Sequence, residues 1–256
     1  MLYNNSMKPI SAEQVLSLQN AVQHFHDCYL VSSLNALSRS ENGRKILQNN
    51  IKTDGKAFTV KFNNVNGLSE TYLVKKEECD RLVMKNKSAT SSEHNPIVNV
   101  VEVAMSKLLA IHPDKKPLIS RLAKCDEPFE YNKPSNFLYM FTGRKPITVN
   151  ESGLSMNLKN YKKYIYSIFG KMTETGNSSF VAGTGVQFGT ELHNTHCFAL
   201  NESIEKDGVQ IANSPKKKLN FMRLFEGRKQ KNITLTREDI IKKVKYISGY
   251  FNEMLI

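Results

Sequence analysis

The stretch HDCYLVSSLNAL, residues 26–37, determines how the rest of the chain is interpreted. Its three leucines recur at helical spacing, and Asp27 is a residue type that caps helix N-termini. The pattern predicts a buried helix that begins at Cys28. A thiol at a helix N-terminus lies in the positive field of the peptide dipoles, which favours its thiolate form. The segment therefore predicts both a core helix and a candidate nucleophile.

The sequence that follows predicts a hairpin and a second helix. AFTVKF (57–62) alternates apolar and polar residues, and a turn near Asn66-Gly67 leads to ETYLV (70–74). Pro96 then opens an apolar stretch with the length and composition of a helix. We expect residues 1–145 to form a mainly helical subdomain.

The second half of the chain is richer in β signals. Thr236 and Asp239 resemble a capping box ahead of an amphipathic stretch, so a terminal helix is expected over IIKKVKYISGYF (240–251). Residues 146–256 are therefore interpreted as a mainly β subdomain, which makes the fold class α+β. The β-like stretches are SSFVAG (178–183), HCFAL (196–200) and VQIAN (209–213).

The last two of these stretches predict a cross-strand pair. A bulge-free hairpin closed by the polar loop 201–208 places His196 directly opposite Asn213, so that the amide can orient the imidazole. An imidazole beside Cys28 would act as its base, which is the logic of a catalytic triad. Gln23, with the Cys28 backbone N–H, is the candidate oxyanion donor.

The order of these segments resembles the calpain-type catalytic core of the papain-like cysteine peptidases. The resemblance covers most of the chain, although Val22 stands where the family has its glutamine, His26 where a glycine is usual, and the chain has no tryptophan. The matching segments are HDCYLVSSLNAL, VNVVEVAMSKL (98–108), FLYMFTGRKP (137–146), THCFAL (195–200), VQIANSP (209–215) and NITLTREDIIKKV (232–244).

The resemblance implies a papain-like fold with its active-site cleft between the two subdomains. It implies a cysteine-type endopeptidase acting on a protein substrate, with Cys28 as nucleophile, His196 as base and Asn213 as the residue that orients the base. Papain-like folds also host deamidases, isopeptidases and acyltransferases, and these remain alternatives. Many stand-alone domains of this family resemble bacterial effectors. The resemblance therefore implies two alternative locations, the cytoplasm or a host cell into which the protein is delivered without a classical signal peptide.

The composition limits which other classes of protein the chain can belong to. The chain has 256 residues and a net charge of +12, and no apolar run approaches the roughly 20 residues of a membrane span. The charge alone attracts nucleic acid or an anionic membrane, so an inactive basic binding module is the rival hypothesis. Its basic runs are 216–218, 228–231 and 242–245.

A metal site is a further hypothesis. His24, His26 and Cys28 alternate, while His193, His196 and Cys197 cluster, but neither spacing is that of a known zinc site. We therefore predict no metal and no cofactor. The four cysteines show no paired spacing and are expected to be reduced; they are Cys28, Cys79, Cys125 and Cys197.

Overall fold

The fold was examined in a computed structural model. It belongs to the α+β class, with helices beside antiparallel sheets, as the sequence predicts. The structure describes residues 7–21, 28–84, 95–115, 133–150, 163–164, 167–168, 171, 178–184, 197–200, 208–213, 231–236, 244–251 and 253.

The first part of the chain contains a four-stranded sheet beside its helices, so it is not built from helices alone. The predicted hairpin is confirmed as β3 and β4, and its turn is at Asn66-Gly67. Both turn residues have positive φ, 51° and 84°, which is the backbone shape of the tight turn that matches the twist of paired strands. The strands, in sheet order, are β1 (Lys8–Pro9), β2 (Ile51–Thr53), β3 (Ala57–Val65) and β4 (Leu68–Lys75).

Both helix starts predicted from the sequence are confirmed. One helix begins at Cys28, and another begins at Pro96, where the side chain of Asn95 accepts hydrogen bonds from the first turn. Asp27, the predicted cap, lies outside the described residues. The helices are α1 (Ala12–Ser17), α2 (Cys28–Arg39), α3 (Glu41–Asn50), α4 (Lys76–Met84), α5 (Pro96–Ile111) and α6 (Pro134–Thr142).

A six-stranded antiparallel sheet is formed by strands of the second part. Its strand order is β5-β10-β6-β7-β8-β9, so the last strand along the chain lies inside the sheet. The strands are β5 (Ile147–Asn150), β6 (Ser178–Thr184), β7 (Cys197–Leu200), β8 (Gly208–Asn213), β9 (Lys231–Thr236) and β10 (Val244–Phe251).

The expectation of a terminal helix is wrong for residues 244–251, which form β10. This strand pairs with β5 on one edge and β6 on the other. Its residues from Ile247 to Phe251 are consecutively buried, because a strand inside a sheet that is covered on both faces loses the alternation of a half-exposed strand. Thr236, the proposed cap, is the last residue of β9, and Asp239 lies outside the described residues.

The predicted register between β7 and β8 is also wrong. Ala199 lies opposite Ala212 and Leu200 opposite Ile211, whereas the prediction pairs these two residues with Gln210 and Val209. The strands are thus offset by two residues. Side chains alternate with a period of two, so this offset keeps every residue on the same face and the apolar pattern cannot detect it.

Helix α2 is enclosed on all sides. Each of its residues from Tyr29 to Ser38 is buried, including several polar ones. The hydroxyls of Ser32 and Ser33 donate to the carbonyl oxygens of Cys28 and Tyr29, four residues earlier, at 2.5 and 2.6 Å. Short polar side chains bonded to their own helix allow neighbouring elements to approach it closely without leaving polar atoms unpaired.

One side of α2 packs on the six-stranded sheet. Ala36 is fully buried against Val181 of β6 and Ala199 of β7, with Cys197 packed at the edge of this cluster. The contact continues past the end of the helix, where Ser40 meets Ser179 of β6. The helix therefore runs along β6 and β7, and its direction fixes which end of the sheet lies nearest to Cys28.

The Ser40–Ser179 pair gives a test of this packing. The two buried hydroxyls are 2.6 Å apart, and Ser40 also accepts a bond from the N–H of Gly43 as the N-cap of α3. Ser40→Ala removes the cap and leaves the Ser179 hydroxyl without this partner, so we expect a loss of about 2 to 3 kcal/mol in the free energy of unfolding. Urea unfolding measures it, and a smaller loss from Ser40→Ala in a Ser179→Ala background is expected, because the pair is coupled. Equal losses in both backgrounds would contradict the contact.

Among the described residues, no helix has the length and apolar character needed to cross a membrane.

Candidate active site

Cys28 is the first residue of α2, and its side chain is half-buried. The helix is 12 residues long, and the N–H groups of its first turn, which have no acceptor within the helix itself, lie around this residue. Such a position favours a negative charge through the helix dipole and backbone hydrogen bonds. A partly accessible thiol at a helix N-terminus is the environment in which reactive cysteines are found.

A row of three residues crosses the sheet near this end of α2. Cys197 of β7 lies opposite Gly183 of β6, and Gly183 lies opposite Tyr246 of β10. Gly183 is required by the ring of Tyr246, because a Cβ at position 183 would lie 2.2 and 2.3 Å from two of its ring carbons. The ring therefore crosses over β6 in the direction of Cys197.

The hydroxyl of Tyr246 lies in this row of residues and is fully buried. It makes no hydrogen bond of ordinary geometry with any residue that the structure describes, although the Cys197 thiol lies near enough to interact with it. Burial raises the pKa of Tyr246 well above its ordinary value, and negative charge on Cys197 and Cys28 raises it further. The phenol therefore stays protonated at neutral pH, and both thiols are close enough to act on it.

The environment of Cys79 is different. It lies on α4 and is buried, and burial raises the pKa of its thiol to about 11, with Asp80 and Glu78 adding to the shift. This thiol is therefore un-ionised and inert at neutral pH. It provides an internal reference for Cys28, whereas Cys125 lies outside the described residues.

The structure describes only some of the residues that the sequence singles out. Gln23 and His196 lie outside the described residues. Asn213 ends β8, where its backbone is paired with Lys231 of β9, but its side chain is not described. Cys197, which directly follows His196 in the chain, is described and belongs to the same cluster as Cys28 and Tyr246.

Most of the residues in the metal-site hypothesis lie outside the part of the chain that the structure describes. His24, His26, His193 and His196 all lie outside the described residues. In the part of the chain that the structure describes, no group of three or more His, Cys, Asp or Glu side chains is arranged to hold a metal ion.

Two residues of the cluster were not predicted from the sequence. A glycine within a β-like stretch signals a close backbone or side-chain approach, and Gly183 in SSFVAG carried that signal. Tyr246 was hidden by its assignment to a helix. Only the strand pairing β10-β6-β7 brings it to Cys197, so no local pattern could have identified it.

Comparison with known proteins adds nothing to this geometry, because no family model matches the chain and no curated protein matches it.

Proposed function

We propose that this chain is a papain-like cysteine hydrolase, most simply an endopeptidase, with Cys28 as nucleophile, His196 as base and Asn213 as the residue that orients the base. Gln23 and the backbone N–H of Cys28 are the proposed oxyanion donors. The protein substrate would lie in a cleft between the helical part and the six-stranded sheet.

One observation carries the proposal. Cys28 begins a buried helix that packs along β6 and β7, and Cys197, the residue after His196, lies in the same cluster as Cys28. Two segments that are far apart in the chain therefore lie near one another, which supports the proposal. The α+β fold class, with α2 packed against an antiparallel sheet, supports the proposal.

In the proposed reaction the Cys28 thiolate attacks the carbonyl carbon of a peptide bond, forming a carbon–sulfur bond. The helix N-terminus stabilises the thiolate before attack, and the oxyanion donors stabilise the charge that develops on the carbonyl oxygen. Protonated His196 gives its proton to the leaving amine as the carbon–nitrogen bond breaks. Water activated by the same imidazole then releases the acyl group from Cys28.

A peptide library tests the proposal and separates it from the alternative reactions. Peptides from digested cellular protein are incubated with the wild-type chain and with Cys28→Ala, and the products are identified by mass spectrometry. We expect new peptide N-termini with the wild-type chain and none with Cys28→Ala. A mass gain of about one dalton at glutamine or asparagine would instead identify a deamidase, and amine-linked products an acyltransferase. Unchanged peptides, or products that persist with Cys28→Ala, would contradict the proposal.

A further inference from the structure

We propose that the buried hydroxyl of Tyr246 is a hydrogen-bond donor that stabilises the thiolate formed at the Cys28–Cys197 pair. The inference rests on the proposed function, because it assigns the residue that stabilises the nucleophile of that site. It makes Tyr246 a positioning residue, which acts on the charge of the thiols and does not contact the substrate.

The first argument is an unused hydrogen-bond donor. A buried hydroxyl without a well-made hydrogen bond costs about 1 to 3 kcal/mol, so each such group in a folded protein calls for an explanation. Tyr246 keeps its hydroxyl although no described residue satisfies it in ordinary geometry. A thiol is a weak acceptor, whereas a thiolate is a strong one. The hydroxyl is thus poorly paired in the thiol form and well paired in the thiolate form.

The second argument is the way that Tyr246 is held. Because Gly183 has no side chain, the ring of Tyr246 can lie directly against it. Two ring carbons are within 2.3 Å of the position that a Cβ would occupy. Strand β10 is paired on both edges, so the backbone of Tyr246 is fixed from two sides. A donor on a rigid strand is already oriented before the charge forms, which is the arrangement that makes such donors effective.

The third argument concerns the charged residues of the described elements that neighbour Tyr246. Strands β5, β6 and β7 contain no charged residue, and α6 contains none either. Lys245, next to Tyr246, is half-exposed, and the one charged residue of α2 is Arg39, at the other end of the helix. In these described elements, Tyr246 is thus a buried, uncharged donor beside the thiols.

Stabilising the charged form lowers the pKa of an acid. Both thiols act on the same phenol, so we assign the first proton that leaves them to one apparent pKa of the pair. The neutral phenol lowers that apparent pKa, and its own raised pKa ensures that it remains a donor over the whole range in which Cys28 is used.

Tyr246→Phe tests the inference, because it keeps the ring over Gly183 and removes only the hydroxyl. The rate of iodoacetamide labelling is measured against pH by mass spectrometry at Cys28, Cys197 and Cys79. We expect the apparent pKa of the Cys28–Cys197 pair to rise by about one unit, which makes labelling about tenfold slower at pH values below the apparent pKa of the wild-type pair. We also expect the urea midpoint of unfolding to stay the same or to increase, because the lost hydroxyl was poorly paired.

Tyr139→Phe, which removes a hydroxyl from a more exposed tyrosine of α6, is the matched control and should leave the profile unchanged. An unchanged profile in folded Tyr246→Phe, with Cys28 still much faster than Cys79, would overturn this inference and leave the proposed function intact. Loss of folding in Tyr246→Phe would also overturn it, since the hydroxyl would then be structural. If Cys28 labels as slowly as Cys79 in the wild-type chain, the proposed function and this inference fail together.

Discussion

Replacing Cys28 with alanine is expected to reduce the rate of hydrolysis by about 10³-fold or more, because covalent catalysis ends when the nucleophile is removed. The fold should survive. Cys28 is half-buried at the start of α2, and alanine is a good helix former, so the change in the free energy of unfolding should be within about 1 kcal/mol. The measurement is the steady-state rate on a peptide identified from the library, together with a urea unfolding curve for the same preparation.

The matched control is Cys79→Ala. This thiol is buried on α4, and burial raises its pKa to about 11, so it supplies no nucleophile at neutral pH. We expect Cys79→Ala to lose some stability, since it removes a buried sulfur, and to retain its hydrolysis rate per folded molecule. Retained hydrolysis in Cys28→Ala, or equal losses in the two variants, would show that Cys28 is not the nucleophile.

Ala36→Leu is expected to damage both the fold and the site. Ala36 is fully buried where α2 packs against Val181 and Ala199, and leucine adds three carbon atoms to this contact. Such overpacking costs about 1 to 3 kcal/mol and is relieved by moving the helix away from the sheet. Since Cys28 lies on this helix and Cys197 on the sheet, a displacement near 1 Å can lower the rate by about 100-fold.

Ala110→Leu is the control for this prediction. Ala110 is an exposed residue near the end of α5, so the same substitution meets solvent there and should change stability by less than about 0.5 kcal/mol. Urea unfolding and the hydrolysis rate are measured for both variants. A stable Ala36→Leu protein with an unchanged rate would show that the contact between α2 and the sheet does not position the nucleophile.

The sequence predicted correctly those elements whose structure is determined by neighbouring residues. The leucine spacing placed the start of α2 at Cys28, and Asn66-Gly67 identified the β3–β4 hairpin, because a helix stripe and a tight turn are both determined by neighbouring residues. The α+β class followed from these elements and from the β-like stretches of the second half.

Features that depend on distant pairing were not predicted. Ile247, Tyr250 and Phe251 are spaced as on one face of a helix, but β10 buries them because β5 and β6 pair with both of its edges. The β7–β8 register shifted by two residues without changing any face. For the same reason, the proximity of Tyr246 to Cys197 across Gly183 depends on the order of the strands in the sheet. No short segment of the sequence determines that order.

The central claim is that Cys28 is a thiol activated by His196, and the pH dependence of cysteine labelling tests it most directly. Iodoacetamide labelling of each cysteine is followed by mass spectrometry in the wild-type chain and in His196→Ala. We expect Cys28 to react rapidly well below the free-thiol pKa of about 8.5, and this reactivity to be lost in His196→Ala. Slow labelling of Cys28, equal to that of Cys79 and unaffected by His196→Ala, would contradict the account and leave a structural thiol at the start of α2.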